Sequence, residues 1–171
     1  SEVNHFSIPG LPENSLPLKA FCDSLAIRQR VMKEVEGSQR EKLHVIIAGG
    51  GSTGVELSAE MKLWLCHLPR AKDGSCRTSI SIVQGSKSIL QPFSGRIQRA
   101  ALKRLEYLGV EVLTHSRIRA VQEKKALLAN GSSLSFDLLV WAGGVKASSL
   151  MEELPTHRES VKKTTLANEY M

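Results

Sequence analysis

The spacing of apolar residues changes several times along this chain, and the changes predict alternating helices and strands. Leu18, Phe21, Leu25, Met32 and Val35 recur at helical spacing, which predicts a helix over residues 18–36 with these side chains buried. Ahead of it, Pro9, Gly10, Pro12, Asn14 and Pro17 predict an extended or looping arm over residues 1–17, not a core element. Gly37 stops the helix and residues 38–42 read as a polar link. Residues 45–48 form an apolar run with the length of a buried strand. Residues 53–68 return to helical spacing, with Leu57, Met61, Leu65 and Leu68 inward and Pro69 ending the helix. After a polar loop over residues 70–76, the alternating β-branched stretch TSISIVQ (residues 78–84) predicts a second strand. Parallel pairing through the intervening helix is the natural closure of such a unit.

The pattern then repeats. Ile97, Ala101, Leu105 and Leu108 predict a helix over residues 94–108 with that face inward, Gly109 ends it, and residues 110–113 form another strand. Three brief segments (118–122, 126–128 and 133–136) read as an antiparallel meander, with Asn130-Gly131 signalling a two-residue hairpin. Residues 138–141 re-enter the main sheet and end in a second glycine turn, Ala142-Gly143-Gly144. The expected fold is therefore α/β: a Rossmann-like three-layer domain, with a central parallel sheet, helices and a small β-meander crossover.

The chemistry concentrates where the first strand meets its helix. Gly49, Gly51 and Gly54 stand at G-x-G-x-x-G spacing between a legible strand and a legible helix. Such a turn offers bare backbone N–H groups and a helix N-terminus to a pyrophosphate, so a dinucleotide is the leading ligand. Ser52 and Thr53 can add hydroxyl and N–H donors there. A tight strand-to-helix turn without a ligand is the plainer alternative. Glu56, placed in the first helical turn, either answers the helix dipole or faces the nicotinamide amide. Gln84 stands where an acid normally accepts the adenosine ribose hydroxyls, with Ser86 and Lys87 following. A neutral amide does not repel a 2′-phosphate, which leaves NADH and NADPH both open; a surface residue at a strand end is the plainer reading. The second glycine turn, at the carboxyl end of a central strand, reads as the other wall of the same cleft or as a plain turn.

Composition narrows the rest. A length of 171 residues allows one domain with a proper core. The net charge of +6 invites nucleic acid as a partner, but the basic residues sit on helix faces (Arg28, Arg30, Lys33; Arg96, Arg99, Lys103, Arg104) with few aromatics to stack on bases. No nucleic-acid role is expected. The charge equally suits an anionic dinucleotide or acidic lipid headgroups. Three cysteines without a C-x-x-C pair read as reduced thiols of an intracellular chain. Cys66, His67 and Cys76 lack a fourth ligand for zinc, so no metal site is assigned. The five histidines fall into no triad or metal pattern, and no catalytic residue is assigned.

Four segments, IPGLPENSLPLKAFCDSLAIRQRV, VIIAGGGSTGVELSAEM, RAALKRLEYLGVEVL and FDLLVWAGGVKAS, occur in the order found in type II NADH dehydrogenases. The chain resembles the NAD(P)H-binding domain of that branch of the FAD-dependent pyridine nucleotide-disulfide oxidoreductases. The resemblance implies a hydride passing from nicotinamide to a flavin, with electrons going on to a quinone. It places Gly49, Gly51, Ser52, Thr53, Gly54 and Glu56 at the pyrophosphate and nicotinamide side. Gln84 and Gly85 fall at the adenosine ribose, and Ala142, Gly143 and Gly144 line the nicotinamide cleft. It further implies a lead-in arm and helix (residues 1–41), the nucleotide domain (42–148) and a segment returning toward a flavin domain (149–171). The FAD site itself is absent from this chain, which reads as an excised domain, inactive alone, with a parent enzyme peripheral on the cytoplasmic face of a membrane. A homodimer stays open. The rival readings are a stand-alone NAD(P)H-sensing regulator and the same domain of a ferredoxin, nitrite or sulfide:quinone reductase.

Overall fold

A computed structural model describes residues 1–37, 42–68 and 76–148. In chain order the elements are β1 (Glu2–Val3), α1 (Leu11–Asn14), β2 (Leu16–Pro17), α2 (Phe21–Gly37), β3 (Leu43–Ala48), α3 (Ser52–His67) and β4 (Thr78–Val83). These are followed by α4 (Gly95–Tyr107), β5 (Val110–Leu113), β6 (Ile118–Gln122), β7 (Lys125–Leu128), β8 (Ser133–Ser135), β9 (Leu138–Trp141) and β10 (Val145–Lys146). A five-stranded parallel sheet runs β2-β9-β3-β4-β5, and β6-β7-β8 form a separate antiparallel meander.

The sheet is covered on both faces, which is why its strands read as almost unbroken apolar runs. Val45, Ile47, Ile80, Ile82, Leu138 and Val140 pack into one core cluster with Ile27, Val31, Met61, Leu65 and Leu105 of the helices. Ile46, Ala48, Val83, Leu139 and Trp141 belong to a second cluster, with Ile118, Val121, Ala126 and Leu128 of the meander. Successive side chains of one strand therefore serve opposite layers. The expected α/β three-layer architecture is the one observed.

Several local expectations are corrected. In α2 the buried face is Ile27, Val31 and Val35, whereas Phe21 is 76% exposed and Leu25 is 42% exposed. The helix carries two apolar stripes, and the one spaced by four residues and rich in β-branched side chains meets the sheet. In α4 only Leu105 is buried, and Ile97 is exposed. The first residues are not merely a looping arm. Leu11 is fully buried, and Leu16 and Pro17 pair with Val140 and Trp141 as an edge strand, where proline is tolerated. The Asn130-Gly131 hairpin is longer than two residues: Leu128 N–H donates to Ser132 O across residues 129–131, with Gly131 at φ 87°.

The cysteines also depart from expectation. Cys66 and Cys76 are disulfide-bonded, with Cα atoms 4.6 Å apart, while Cys22 is free and exposed. The chain returns to β4 beside the last turn of α3, a proximity invisible in the spacing. The odd cysteine count thus gives no argument for reduced thiols, and two of the imagined zinc ligands are already bonded to each other. The link after α2 (38–41), most of the loop after α3 (69–75) and the tail (149–171) lie outside the described residues.

Candidate functional site

β4 lies on one side of β3 and β9 on the other, so the strand order reverses at β3. In an open parallel sheet this leaves a crevice beyond the carboxyl ends of the strands. Both glycine turns stand there. Gly49, at φ 119°, follows β3 directly, and a Cβ on it would lie 2.5 Å from Ala142 O and 2.9 Å from Gly143 Cα. The first turn therefore rests against the second with no room for a side chain between them. Ala142 N–H donates to Ala48 O at 2.8 Å and joins the two, while Gly49 N–H donates to Val83 O at 2.9 Å and ties the first turn to the end of β4.

The other two glycines divide the work by position. A Cβ on Gly54 would run into the carbonyl of Gly49, so this residue lets α3 approach the turn closely. A Cβ on Gly51 would meet nothing within 4 Å, so this part of the turn is open to solvent. Gly51 is the N-cap of α3 and no side chain caps the helix, which leaves its first N–H groups without a side-chain acceptor. Ser52 and Thr53 are exposed in the first turn. Together these set open glycine backbone in front of the positive end of a helix, an arrangement whose chemistry suits an anion.

Glu56 is exposed on α3, but it sits past the first turn, which holds no acidic residue. The helix-dipole account weakens accordingly, because that field fades within one turn. Gln84 follows β4 immediately, and its Oε1 accepts the Gly50 N–H at 2.7 Å. Its side chain thus braces the glycine turn, while Nε2 donates to Ser86 Oγ. Gly85 is exposed next to it. Beyond β9, a Cβ on Gly143 would strike the Trp141 ring, and Gly144 adopts φ 150° beside Phe6. All the sequence-expected residues, Gly49, Gly51, Ser52, Thr53, Gly54, Glu56, Gln84, Gly85 and Ala142 through Gly144, gather at the carboxyl ends of β3, β4 and β9.

Neighbours from three other segments were not expected. Leu90 N–H donates to Gly50 O at 2.7 Å, and Ile89 is fully buried against Gly50, so residues 89–90 wall the turn from outside. Asn4 N–H donates to Gly144 O at 3.1 Å, Asn4 O accepts from Trp141 Nε1 at 2.9 Å, and the Phe6 ring stands 3.3 Å from a would-be Cβ on Gly144. Arg117 lies alongside Gly85. Each is far from the motif in sequence, and only the β-topology brings it near.

A parallel sheet whose order reverses beside paired glycine turns defines the Rossmann-like class of nucleotide-binding folds. Residues 1–168 match the pyridine nucleotide-disulphide oxidoreductase family, and the chain belongs to it. Among relatives, a probable NADH dehydrogenase of Dictyostelium discoideum is 28% identical over 94% of this chain and 38% of its own length. The internal alternative NAD(P)H-ubiquinone oxidoreductase A1, mitochondrial, of Arabidopsis thaliana is 29% identical over 90% of this chain and 32% of its own. NDH2 from Plasmodium falciparum, solved in complex with NADH, superposes with a TM-score of 0.81 at 27% identity, covering 89% of this chain and 34% of that one. The chain thus spans about a third of the length of these proteins.

Proposed function

We propose that this chain is the NAD(P)H-binding portion of an FAD-dependent dehydrogenase that passes a hydride from nicotinamide to flavin and electrons onward to a quinone. The observation that carries the reading is the contact of the two glycine turns at the switch point, with the uncapped start of α3 between them and solvent. On this reading the N–H groups at Gly51, Ser52 and Thr53 hold the pyrophosphate, Gln84 and Gly85 face the adenosine ribose, and Glu56 and residues 142–144 flank the nicotinamide.

Flavin, when bound, supplies the hydride acceptor. Among the described residues there is a single G-x-G-x-x-G turn, and it is assigned to the nicotinamide dinucleotide, so the flavin belongs to a further domain of the parent protein. Phe6 and Val145, 58% and 57% exposed beside the second glycine turn, give that domain an apolar rim to meet. No described helix is long and apolar enough to cross a membrane. On this reading the parent is held peripherally on the cytoplasmic face of a membrane, where its quinone is reached.

Calorimetric titration of the chain with NADH, NADPH and FAD tests the reading. Saturable binding of a nicotinamide dinucleotide with no FAD binding and no turnover is expected. FAD binding without either nicotinamide would reassign the glycine turn to a flavin site and overturn the proposal.

A further inference from the structure

The turn after β5 is drawn onto the turn after β4. Gln84 N–H donates to Leu113 O at 2.8 Å, Ser116 N–H to Gln84 O at 2.9 Å and His115 N–H to Ser86 O at 2.9 Å. His115 takes φ 54° to do so, a conformation that side chains other than glycine adopt uncommonly. The next residue but one is Arg117, whose carbonyl accepts Ala129 N–H at 2.8 Å. A Cβ on Gly85 would lie 3.6 Å from both the Cβ and the Nε of Arg117, so the arginine arm runs along the bare backbone of residue 85. Arg117 is exposed and makes no ion pair among the described residues. Residues 84–88 and 114–117 bring Lys87 and Arg117 to this corner and contain no Asp or Glu.

The amide of Gln84 has one orientation consistent with its neighbours. Gly50 N–H can only donate, so Oε1 must face it, and Nε2 is turned toward Ser86. The edge presented toward residues 85 and 86 is therefore an N–H donor. A carboxylate in this place would accept protons from ribose hydroxyls. A donor edge beside two cations instead complements acceptor oxygens carrying negative charge, and a guanidinium fork matches the geometry of a phosphate.

We propose that Arg117, delivered by the turn after β5, is a specificity-determining residue that binds a 2′-phosphate on the adenosine ribose, so that this chain takes NADPH in preference to NADH. The inference rests on the NAD(P)H reading above and adds the choice between the two dinucleotides. The long reach from β4 to β6 in sequence explains why the strand-end residues alone do not show it.

The test is calorimetric titration of the chain with NADPH and with NADH, using wild type, Arg117→Ala, Arg117→Lys and Lys125→Ala. Lys125 is exposed and lines a cavity with His44 at the opposite ends of the strands, so it controls for general charge. Wild type is expected to bind NADPH about tenfold tighter than NADH. Arg117→Ala should weaken NADPH by about tenfold and leave NADH unchanged, Arg117→Lys should recover part of the loss, and Lys125→Ala should alter neither. NADH binding as tight as NADPH in wild type, or equal weakening of both by Arg117→Ala, would overturn the inference and leave the NAD(P)H reading intact. Binding of neither nicotinamide by wild type would sink the underlying reading, and the inference with it.

Discussion

The two ends of the parallel sheet treat their polar groups in opposite ways. At the amino ends they are paired within the chain. Asp137 is buried, its Oδ2 accepts His44 N–H at 2.9 Å, and its own N–H donates to His44 O at 2.8 Å. Ser79 Oγ and His44 Nδ1 share a hydrogen bond of 2.8 Å, and the Lys62 ammonium reaches Thr78 O at 2.6 Å. Burial, and then the charge of Lys42, hold the Lys62 pKa below its ordinary value. The Cys66–Cys76 disulfide closes the same end. At the carboxyl ends the start of α3 is uncapped, and Ser52, Thr53, Glu56, Lys87 and Arg117 are exposed without side-chain partners among the described residues. One end satisfies itself; the other leaves its donors and charges to solvent, as the proposed dinucleotide site requires. β4 separates the two by about 20 Å, so substitutions at one end should leave the other unmoved.

That division can be broken most severely at Gly54. Gly54→Val forces branched carbons into the Gly49 carbonyl, and it should abolish dinucleotide binding and cost about 3 kcal/mol or more in chemical denaturation. Asp137→Ala should cost about 2–3 kcal/mol because the part-buried His44 N–H and a nearby lysine lose their acceptor, yet the folded protein should bind nucleotide as before. Removing the disulfide by Cys66→Ser with Cys76→Ser frees a loop of sequence separation 10 and should cost about 2–3 kcal/mol, again with unchanged affinity. The smallest effect on stability belongs to Gln84→Glu. A carboxylate can still accept the Gly50 N–H, so the melting midpoint should barely move, while the preference for NADPH over NADH should fall by about tenfold through repulsion of the 2′-phosphate.

What could be read from the chain follows the same division. Strand, glycine turn and helix from β3 through α3 announce themselves, because a tight turn with an open backbone demands glycine at fixed intervals. β4 is legible from its alternation, β9 from its apolar run, and β5 and the meander from the glycine turns that bound them. The face of α2 was not, since Phe21 and Leu25 compete with Ile27, Val31 and Val35 at equal helical spacing, and only packing against the sheet decides. Two-residue strands such as β2 carry no period at all, so Leu16 and Pro17 hid in a proline-rich stretch. Pairing of Cys66 with Cys76, and the arrival of Ile89, Phe6 and Arg117 at the glycine turns, depend on chain return. Local pattern cannot encode that.

The central claim is that the crevice beyond the carboxyl ends holds the dinucleotide. Backbone amide chemical shifts of the chain, recorded with and without NADPH, address it residue by residue. The account predicts large changes at Gly49, Gly51, Ser52, Thr53, Gly54, Gln84 and residues 142–144, and none at His44, Thr78 or Asp137. Changes centred on the amino ends of the strands, or none at the glycine turns at saturation, would contradict it.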